Sequence, residues 1–567
     1  MHNIQSRYPL LLSFLPLLFT WLLLGLGHPR ELHNDDFQLY FQLCNGGTGS
    51  IPFSGHSGYL TGLLLMGLNS INNSVNWYLV LLLTSGSLAC LGLNFFAIKR
   101  IATSPCGTSS LDYVRILSAL AVLCYINYES LRLAQYTSVG ILNACSALFL
   151  FYDWSQSTPR KLKYACAVFL FICAYEWRDH SILPFFFLSA FVFLIVQISS
   201  TPGAKRRFFR GAVIFPIMLV ALHAIHAVAL KSEAEWQNAV AFNHTRTGIL
   251  DSKDNSGVDK SQALEKLGIN TQDFHIFKSF IYVPGFCKEN ADELKKVLEI
   301  HKAHRKGIFG LDFAAKHGLL ELGDYQYKEG SSAAQAISPW IPLVAALLLV
   351  LMGLNRKSLA HTIPMLAALL GYFGLLFLMQ RVVGRVFHPV LYASAVWILA
   401  APVSANAFTR KRLLCGGVLA IEIMATLFCL RETRHMFNSK EQAWQICAQN
   451  PQNLYLTTSM QHLCIYPPGW KGVSLRYFST SNMLPIADGW CYYSPAYHAA
   501  LQARNINDPY AEICKPNTYI ITQNTPNEAG MLNTISTIHK RQMGTQLRFK
   551  KTETVGLFTF WQAEPQP

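Results

Sequence analysis

Four short stretches of this sequence place carboxylates, guanidiniums and imidazoles at the margins of long apolar runs. The first is Leu32-His33-Asn34-Asp35-Asp36-Phe37. The second carries Glu129 and Arg132, followed by Gln135 and Thr137. The third is Glu176-Trp177-Arg178-Asp179-His180, and the fourth holds Arg381, Arg385 and His388. A positioned carboxylate can take the proton of an attacking hydroxyl. Arginines offer a phosphate permanently charged, bidentate donors. Gathered at one boundary, these residue types suit a site that handles a polar, phosphate-bearing molecule delivered from lipid.

Each stretch also has a plainer reading. Adjacent carboxylates such as Asp35 and Asp36 point about 100° apart on a helix, so both rarely serve one proton. Such a pair also fits a solvated helix start stabilised by the helix dipole. Glu176, Arg178 and Asp179 fit a surface ion-pair cluster of small energetic worth. Arg381 and Arg385 fit side chains that snorkel to lipid head groups. His223 and His226 sit late in an apolar run and fit packed or interfacial positions better than metal ligation. Glu422 lies in mid-run, where a carboxyl is expensive; a protonated carboxyl bonded to a neighbouring helix fits it best.

The elements that must position these residues are apolar. Of 567 residues 51% are hydrophobic and only 14% charged, and mean hydropathy is +0.24. Soluble domains carry about a quarter charged residues, and a 13% aromatic content opposes disorder. A helix crossing a bilayer needs about 20 mostly apolar residues. Eleven runs approach this: Tyr8–Gly27, Asn76–Ile98, Leu111–Asn127, Leu133–Tyr152, Leu162–Tyr175, Ser181–Ile198, Gly211–Leu230, Trp340–Leu354, Ala360–Met379, Val386–Ala401 and Leu413–Leu430. Leu162–Tyr175 is short enough for a re-entrant hairpin with the next run. Basic residues before and after that pair put both its ends on one side, and two full passes are the expectation. The sequence therefore predicts a polytopic helical membrane protein of about 11 spans. The first run resembles a signal peptide but lacks a small-residue cleavage pattern, so it reads as a retained anchor.

Charge orients the set. With the N-terminus inside, the short cytoplasmic segments hold 16 basic and 2 acidic residues, leaving 31 against 30 for the rest of the chain. This is the positive-inside pattern, so most of the net charge of +15 is topological. It carries no argument for nucleic acid as a partner; the bilayer is the expected one. The N-terminal module then covers residues 1–230, with an external first loop at 28–75. An external loop domain follows at 231–338, further spans at 339–430 and an external domain at 431–567. The apolar piece Gly58–Leu68 is too short to span and is expected at the interface or over a cavity. Leu294, Val297, Leu298 and His301 recur at helical spacing and predict an amphipathic helix over Glu289–His304. The last domain reads as small α/β, with strands at Asn453–Thr457, Thr518–Thr522 and Gly556–Trp561 and a helix at Pro495–Arg504. Its aromatics Trp470, Trp490, Tyr492 and Tyr493 fit core better than a glycan or partner surface. Four of its cysteines (Cys447, Cys464, Cys491, Cys514) predict two disulfides, with three pairings open.

The run Asn34-Asp35-Asp36, then Gly46…Thr48-Gly49 and Pro52, then Gly58…Gly62-Leu63-Leu64-Leu65…Leu68 resembles the first external loop of bacterial GT-C superfamily glycosyltransferases. The likeness is to poorly characterised members with an Asn-Asp-Asp motif. Gln135-Tyr136-Thr137, the Arg178-Asp179 turn and Trp236…Asn243…Arg246…Asp251 extend the similarity. In plan the chain resembles aminoarabinose transferases and protein mannosyltransferases. The resemblance implies transfer of a sugar from a polyprenyl-phosphate carrier to an envelope glycan, lipid or protein on the outer face of a bacterial inner membrane. The charge asymmetry already described gives the expected orientation, with the N-terminus in the cytoplasm and the C-terminal domain outside. The catalytic carboxylate would be Asp35 or Asp36, with Asp35 narrowly preferred. Arg132, Glu176, Arg178, Asp179, Arg381, Arg385 and His388 would serve substrate and phosphate binding. No cofactor is expected and metal dependence stays open. An O-antigen polymerase or ligase, a lipid-linked sugar flippase and an assembly factor are the alternatives.

Overall fold

A computed structural model of the chain describes residues 8–26, 34–43, 49–103, 110–132, 134–157, 161–250, 261–279, 281–303, 338–351, 355–378, 384–402, 442–458, 482–487 and 491–566. Two compact units emerge. The first comprises Met1–Glu31, Leu79–Ala224 and Phe309–Thr433, and the second Leu32–Tyr78, Ile225–Ile308 and Arg434–Pro567.

The first unit is an apolar helical bundle. Its helices are α1 (Tyr8–Leu26), α4 (Trp77–Thr103), α5 (Ser110–Arg132), α6 (Tyr136–Gln156), α7 (Lys161–Trp177), α8 (Leu183–Ser199), α9 (Pro202–Ala212), α10 (Ile214–Lys231), α15 (Ile341–Leu351), α16 (Arg356–Leu378) and α17 (Gly384–Leu399). The first turn of α4 and the end of α10 belong to the second unit. Ten of the eleven expected spans coincide with these helices; Leu413–Leu430, with Glu422, lies outside the described residues. Among the described residues, four stretches are long and apolar enough to cross a membrane: Trp77–Ala102, Asp179–Ser199, Pro202–Lys231 and Arg356–Leu376.

Helix α6 is buried on nearly every side from Tyr136 to Ser155. An all-round apolar helix marks the centre of a bundle. Phe149 of α6 meets the Trp397 ring of α17 edge-on at 4.9 Å, and Phe96 of α4 stacks on the same indole at 5.2 Å. Exposed apolar side chains such as Leu11, Leu18, Val220 and Val228 cover α1 and α10, as lipid-facing helices require. At one end Asp153 of α6 is buried between two ammoniums. Lys99 Nζ of α4 reaches its two oxygens at 2.6 and 2.7 Å, and Lys163 Nζ of α7 lies 2.7 Å from Oδ2.

The second unit gathers α2 (Asn34–Leu43), α3 (Tyr59–Ile71), α11 (Ala234–Leu250), α12 (Ser261–Glu265), α13 (Thr271–Lys278), α14 (Ala291–Ala303) and the C-terminal α/β segment. The short apolar piece after the first span is α3. Its Gly62 faces the loop so closely that a Cβ would sit 2.1 Å from the Pro52 carbonyl oxygen. Only glycine allows this approach, which joins two residues of the quoted loop motif. The expected amphipathic helix is α14, with Leu294, Val297 and His301 buried.

The sheet has strand order β2-β1-β3-β5-β4, built from β1 (Leu454–Thr457), β2 (Met483–Pro485), β3 (Thr518–Gln523), β4 (Gln546–Val555) and β5 (Phe558–Gln566). Strand β1 runs parallel to β2 and β3, while β5 is antiparallel to β3 and β4. Helix α18 (Pro495–Gln502) lies in the crossover from β2 to β3, and α19 (Glu528–Met543) follows β3. Strands β2 and β4 and helix α19 were not expected. Edge strand β4 is largely exposed and carries Arg548, Lys550 and Lys551, charges that discourage pairing with a further strand.

The pair of disulfides expected in this segment does not form. Cys447, Cys491 and Cys514 are free thiols, and Cys464 lies outside the described residues. Cys447 and Cys491 are fully buried, behaving as small apolar side chains. The aromatics fit the core reading. Tyr492, Tyr493, Tyr497 and Tyr510 are buried, and Tyr282 meets Tyr492, Tyr493 and Tyr497 at 5.2 to 5.7 Å. Trp470 and Trp490 lie outside the described residues.

Candidate functional site

Helix α2 begins at Asn34 and carries the Asp pair in its first turn, where carboxylates complement the helix dipole. Asp36 is 1% exposed, and its Oδ1 accepts a 2.6 Å hydrogen bond from the Tyr78 hydroxyl. The Asp35 side chain lies outside the described set. The rest of α2 is held by neutral hydrogen bonds. Gln38 Oε1 accepts from the Cys491 amide at 3.0 Å, Gln42 Oε1 accepts from the Gly55 amide at 2.8 Å, and Phe41 packs on Tyr497. In the same unit, buried Arg246 of α11 donates from Nε and Nη2 to Asn243 Oδ1 at 3.1 and 2.8 Å. The Asn243 amide nitrogen lies 3.4 Å from His56 Nε2.

The remaining candidates fall in the first unit, around the α5–α6 turn, the end of α7 and the start of α17. Glu129 and Arg132 form a buried bidentate pair, Nε to Oε1 at 3.1 Å and Nη2 to Oε2 at 2.8 Å. That geometry neutralises the Arg132 guanidinium within its own helix turn. Gln135 caps α6, accepting from the Thr137 and Ser138 amides at 2.9 and 3.2 Å. Arg178 Nη1 donates to the Thr137 hydroxyl at 2.8 Å, with its guanidinium 5.7 Å from the Tyr136 ring centre. Ser138 Oγ donates to the Arg385 carbonyl at 3.0 Å, drawing the start of α17 to the same turn. His388 lies 6.3 Å, ring to ring, from Tyr392. Glu176 is buried, whereas Asp179 is exposed and pairs with the adjoining His180. Arg381 lies outside the described residues. Among those described, no group of three or more His, Cys, Asp or Glu side chains is placed to hold a metal ion.

Tyr78 could not be found from spacing, because it stands 42 residues after Asp36 and opens a long apolar run. A second pair was also missed. Glu289 Oε2 lies 2.9 Å from His498 Nε2, and its Oε1 accepts from the Tyr282 hydroxyl and the Gly285 amide, each at 3.2 Å. The backbone there is strained, since Cys287, Lys288 and Glu289 all have φ near +50°. His498 holds its proton above the ordinary value of 6.5, first through its bond to Glu289. Glu289 sits below 4.5 despite burial, because His498 and its other donors favour the carboxylate. The raised imidazole stabilises the fold fully below about pH 6.5 and loses that contribution as pH rises through the folded value. The lowered carboxylate contributes above about pH 4.5 and loses its share as pH falls below that. Both partners are partly exposed, so the pair is worth about 1 kcal/mol or less. Hydrogen-exchange protection of residues 281–290, taken relative to the intrinsic base-catalysed rate at each pH, is expected to be greatest between these limits and to fall toward pH 8. The H498A variant is expected to abolish the alkaline change, and an unchanged profile there would refute the assignment.

The class that fold and site define is a multi-pass helical membrane protein with a small α/β segment at its C-terminal end. No family model matches the sequence, and no curated protein matches it. Among solved structures the chain is similar to ArnT from Cupriavidus metallidurans bound to undecaprenyl phosphate, at 11% identity and a TM-score of 0.40, over 98% of each chain. The apo form of the same protein gives 10% identity and a TM-score of 0.38, also over 98% of both chains. Superposition at that level is too slight to carry a functional argument.

Proposed function

We propose that the protein is a glycosyltransferase of GT-C type that takes a sugar from a polyprenyl-phosphate carrier and passes it to an acceptor of the cell envelope. The observation that carries this reading is the buried Asp36 carboxylate, fixed by Tyr78 in the loop that follows the first span. In the proposed reaction the acceptor oxygen attacks the anomeric carbon as an Asp of the pair, Asp36 or Asp35, takes its proton. The bond from that carbon to the carrier oxygen breaks, and the electron pair leaves with the lipid phosphate. Arg178, bonded to a neutral hydroxyl, holds the departing phosphate together with Arg385 and Arg381, while Glu176, Asp179 and His388 complete the polar rim. Arg132, paired with Glu129, orients the α5–α6 turn. Preorganised positive charge of this kind lowers the barrier to leaving-group departure. The reaction is placed on the outer face of a bacterial inner membrane, in keeping with the charge asymmetry of the short loops.

Mass spectrometry of envelope glycans, lipid A and secreted glycoproteins from a deletion strain is the direct test. Loss of a single sugar substituent from one of these classes, restored by the intact gene, is expected. Unchanged glycans, together with substrate flux into vesicles that survives loss of both aspartates, would replace transfer by transport.

A further inference from the structure

Neutral polar side chains collect within the membrane bundle at the junction of α4, α5 and α6. Gly86 of α4 makes the junction. A Cβ there would meet Leu131 of α5 at 2.8 Å and Val139 of α6 at 3.5 Å. Helix α5 runs toward this level and α6 away from it, so residues four positions deeper are Asn127 and Asn143. Positions i and i+4 share a helix face. Both asparagines therefore lie one turn, about 5.4 Å, below the Gly86 contact and on the faces that meet α4.

Both are fully buried. Asn143 Nδ2 donates to Ser85 Oγ at 2.9 Å and to the Val139 carbonyl at 2.8 Å, and Trp177 Nε1 of α7 donates to the same hydroxyl at 2.9 Å. The carbonyl oxygen of Asn143 has no hydrogen-bond partner among the described residues, and neither does either polar atom of Asn127. Buried Ser130 Oγ and Gln135 Nε2, toward the rim, are in the same condition. Hydrocarbon cannot satisfy such groups, and in membrane helices they mark functional positions. None of them carries a charge to balance a phosphate, and the unpaired amide donors Asn127 Nδ2 and Gln135 Nε2 would face a cation with the wrong polarity. An amide offers a donor and an acceptor side by side, which is what a hydroxyl requires.

We propose that Asn127 and Asn143, supported by Ser85 and Trp177, form a binding site for the hydroxyl groups of a neutral sugar. This deepens the proposed function, on which it rests, by separating recognition of the sugar from recognition of the phosphate at the arginines. The test measures binding of polyprenyl monophosphate, and of the same lipid bearing a hexose, a pentose or an N-acetylhexosamine, to the full chain in nanodiscs. Wild type is expected to bind one glycosylated lipid at least tenfold more tightly than the bare lipid. In N127L that increment falls to within about twofold, with affinity for the bare lipid unchanged and the unfolding temperature equal or higher. Removing an unpaired polar group with its shape kept does not destabilise a core, so this combination separates ligand binding from support of the fold. An intact increment in N127L shows that the groups serve ordered water only and overturns the proposal. Equal losses for both lipids with a lowered unfolding temperature overturn it as well. A wild type that never prefers a glycosylated lipid removes the donor reading itself, a pattern distinct from the other two.

Discussion

Asp36→Asn is expected to lower sugar transfer by about 10²- to 10⁴-fold, the range associated with loss of a positioned general base. The variant should still accumulate in the membrane, because an asparagine Oδ1 can accept the Tyr78 hydrogen bond as the carboxylate does. The fold is therefore kept while the proton acceptor is lost. Asp35→Asn is the necessary companion, since the neighbouring carboxylates point about 100° apart and the proposed reaction needs only one of them as proton acceptor. Transfer rates in membrane vesicles, normalised to protein level, decide between them. Tyr78→Phe supplies the control on positioning. It removes the hydroxyl that orients Asp36 and leaves the carboxylate in place, so a smaller loss than in Asp36→Asn is expected. Full activity in both aspartate variants would remove the catalytic assignment.

Asp153→Ala is expected to cost about 3–5 kcal/mol, the usual penalty for breaking a buried ion pair and leaving its partner unmatched. Two ammoniums are affected here, Lys99 and Lys163, which reach the carboxylate from helices on either side of α6. The pair alone contributes less than this loss suggests. Replacing all three side chains with apolar groups, in D153L/K99M/K163M, should recover most of the stability, since the desolvation penalty disappears with the charges. Denaturant titration of the purified protein in detergent gives both values. Equal loss in the single and triple variants would show that the ammoniums are not the cause. Both lysines also count toward the positive-inside asymmetry, so orientation of the triple variant must be checked by accessibility labelling.

The parts of the fold visible in the sequence were those written as local pattern. Apolar runs marked ten helices of the bundle, and Leu294, Val297 and His301 marked α14 by their spacing. Strand β4 escaped notice because Gln546–Val555 is a polar, exposed edge without alternation, and β2 because it is three residues long. The disulfides were expected from an even cysteine count, which says nothing about whether thiols lie near one another. At the candidate site the residue types were legible and their partners were not. Glu129 and Arg132 are three residues apart and could be read as a helical pair. Tyr78 beside Asp36, Thr137 beside Arg178, and His498 beside Glu289 depend on tertiary placement, for which a single sequence carries no signal.

The hydrogen bond from the Cys491 amide to Gln38 joins residues 453 positions apart. During synthesis at about 5–20 residues per second, the helix bearing the Asp pair therefore waits roughly 20–90 s for that partner. Throughout this interval the early helices of the bundle can already be inserted while α2 lacks one of its clamps. A chain released before its last quarter is made would keep the aspartates and lose this support. The clamp on α2 is therefore complete only after Cys491 has been made and the segment that bears it has folded.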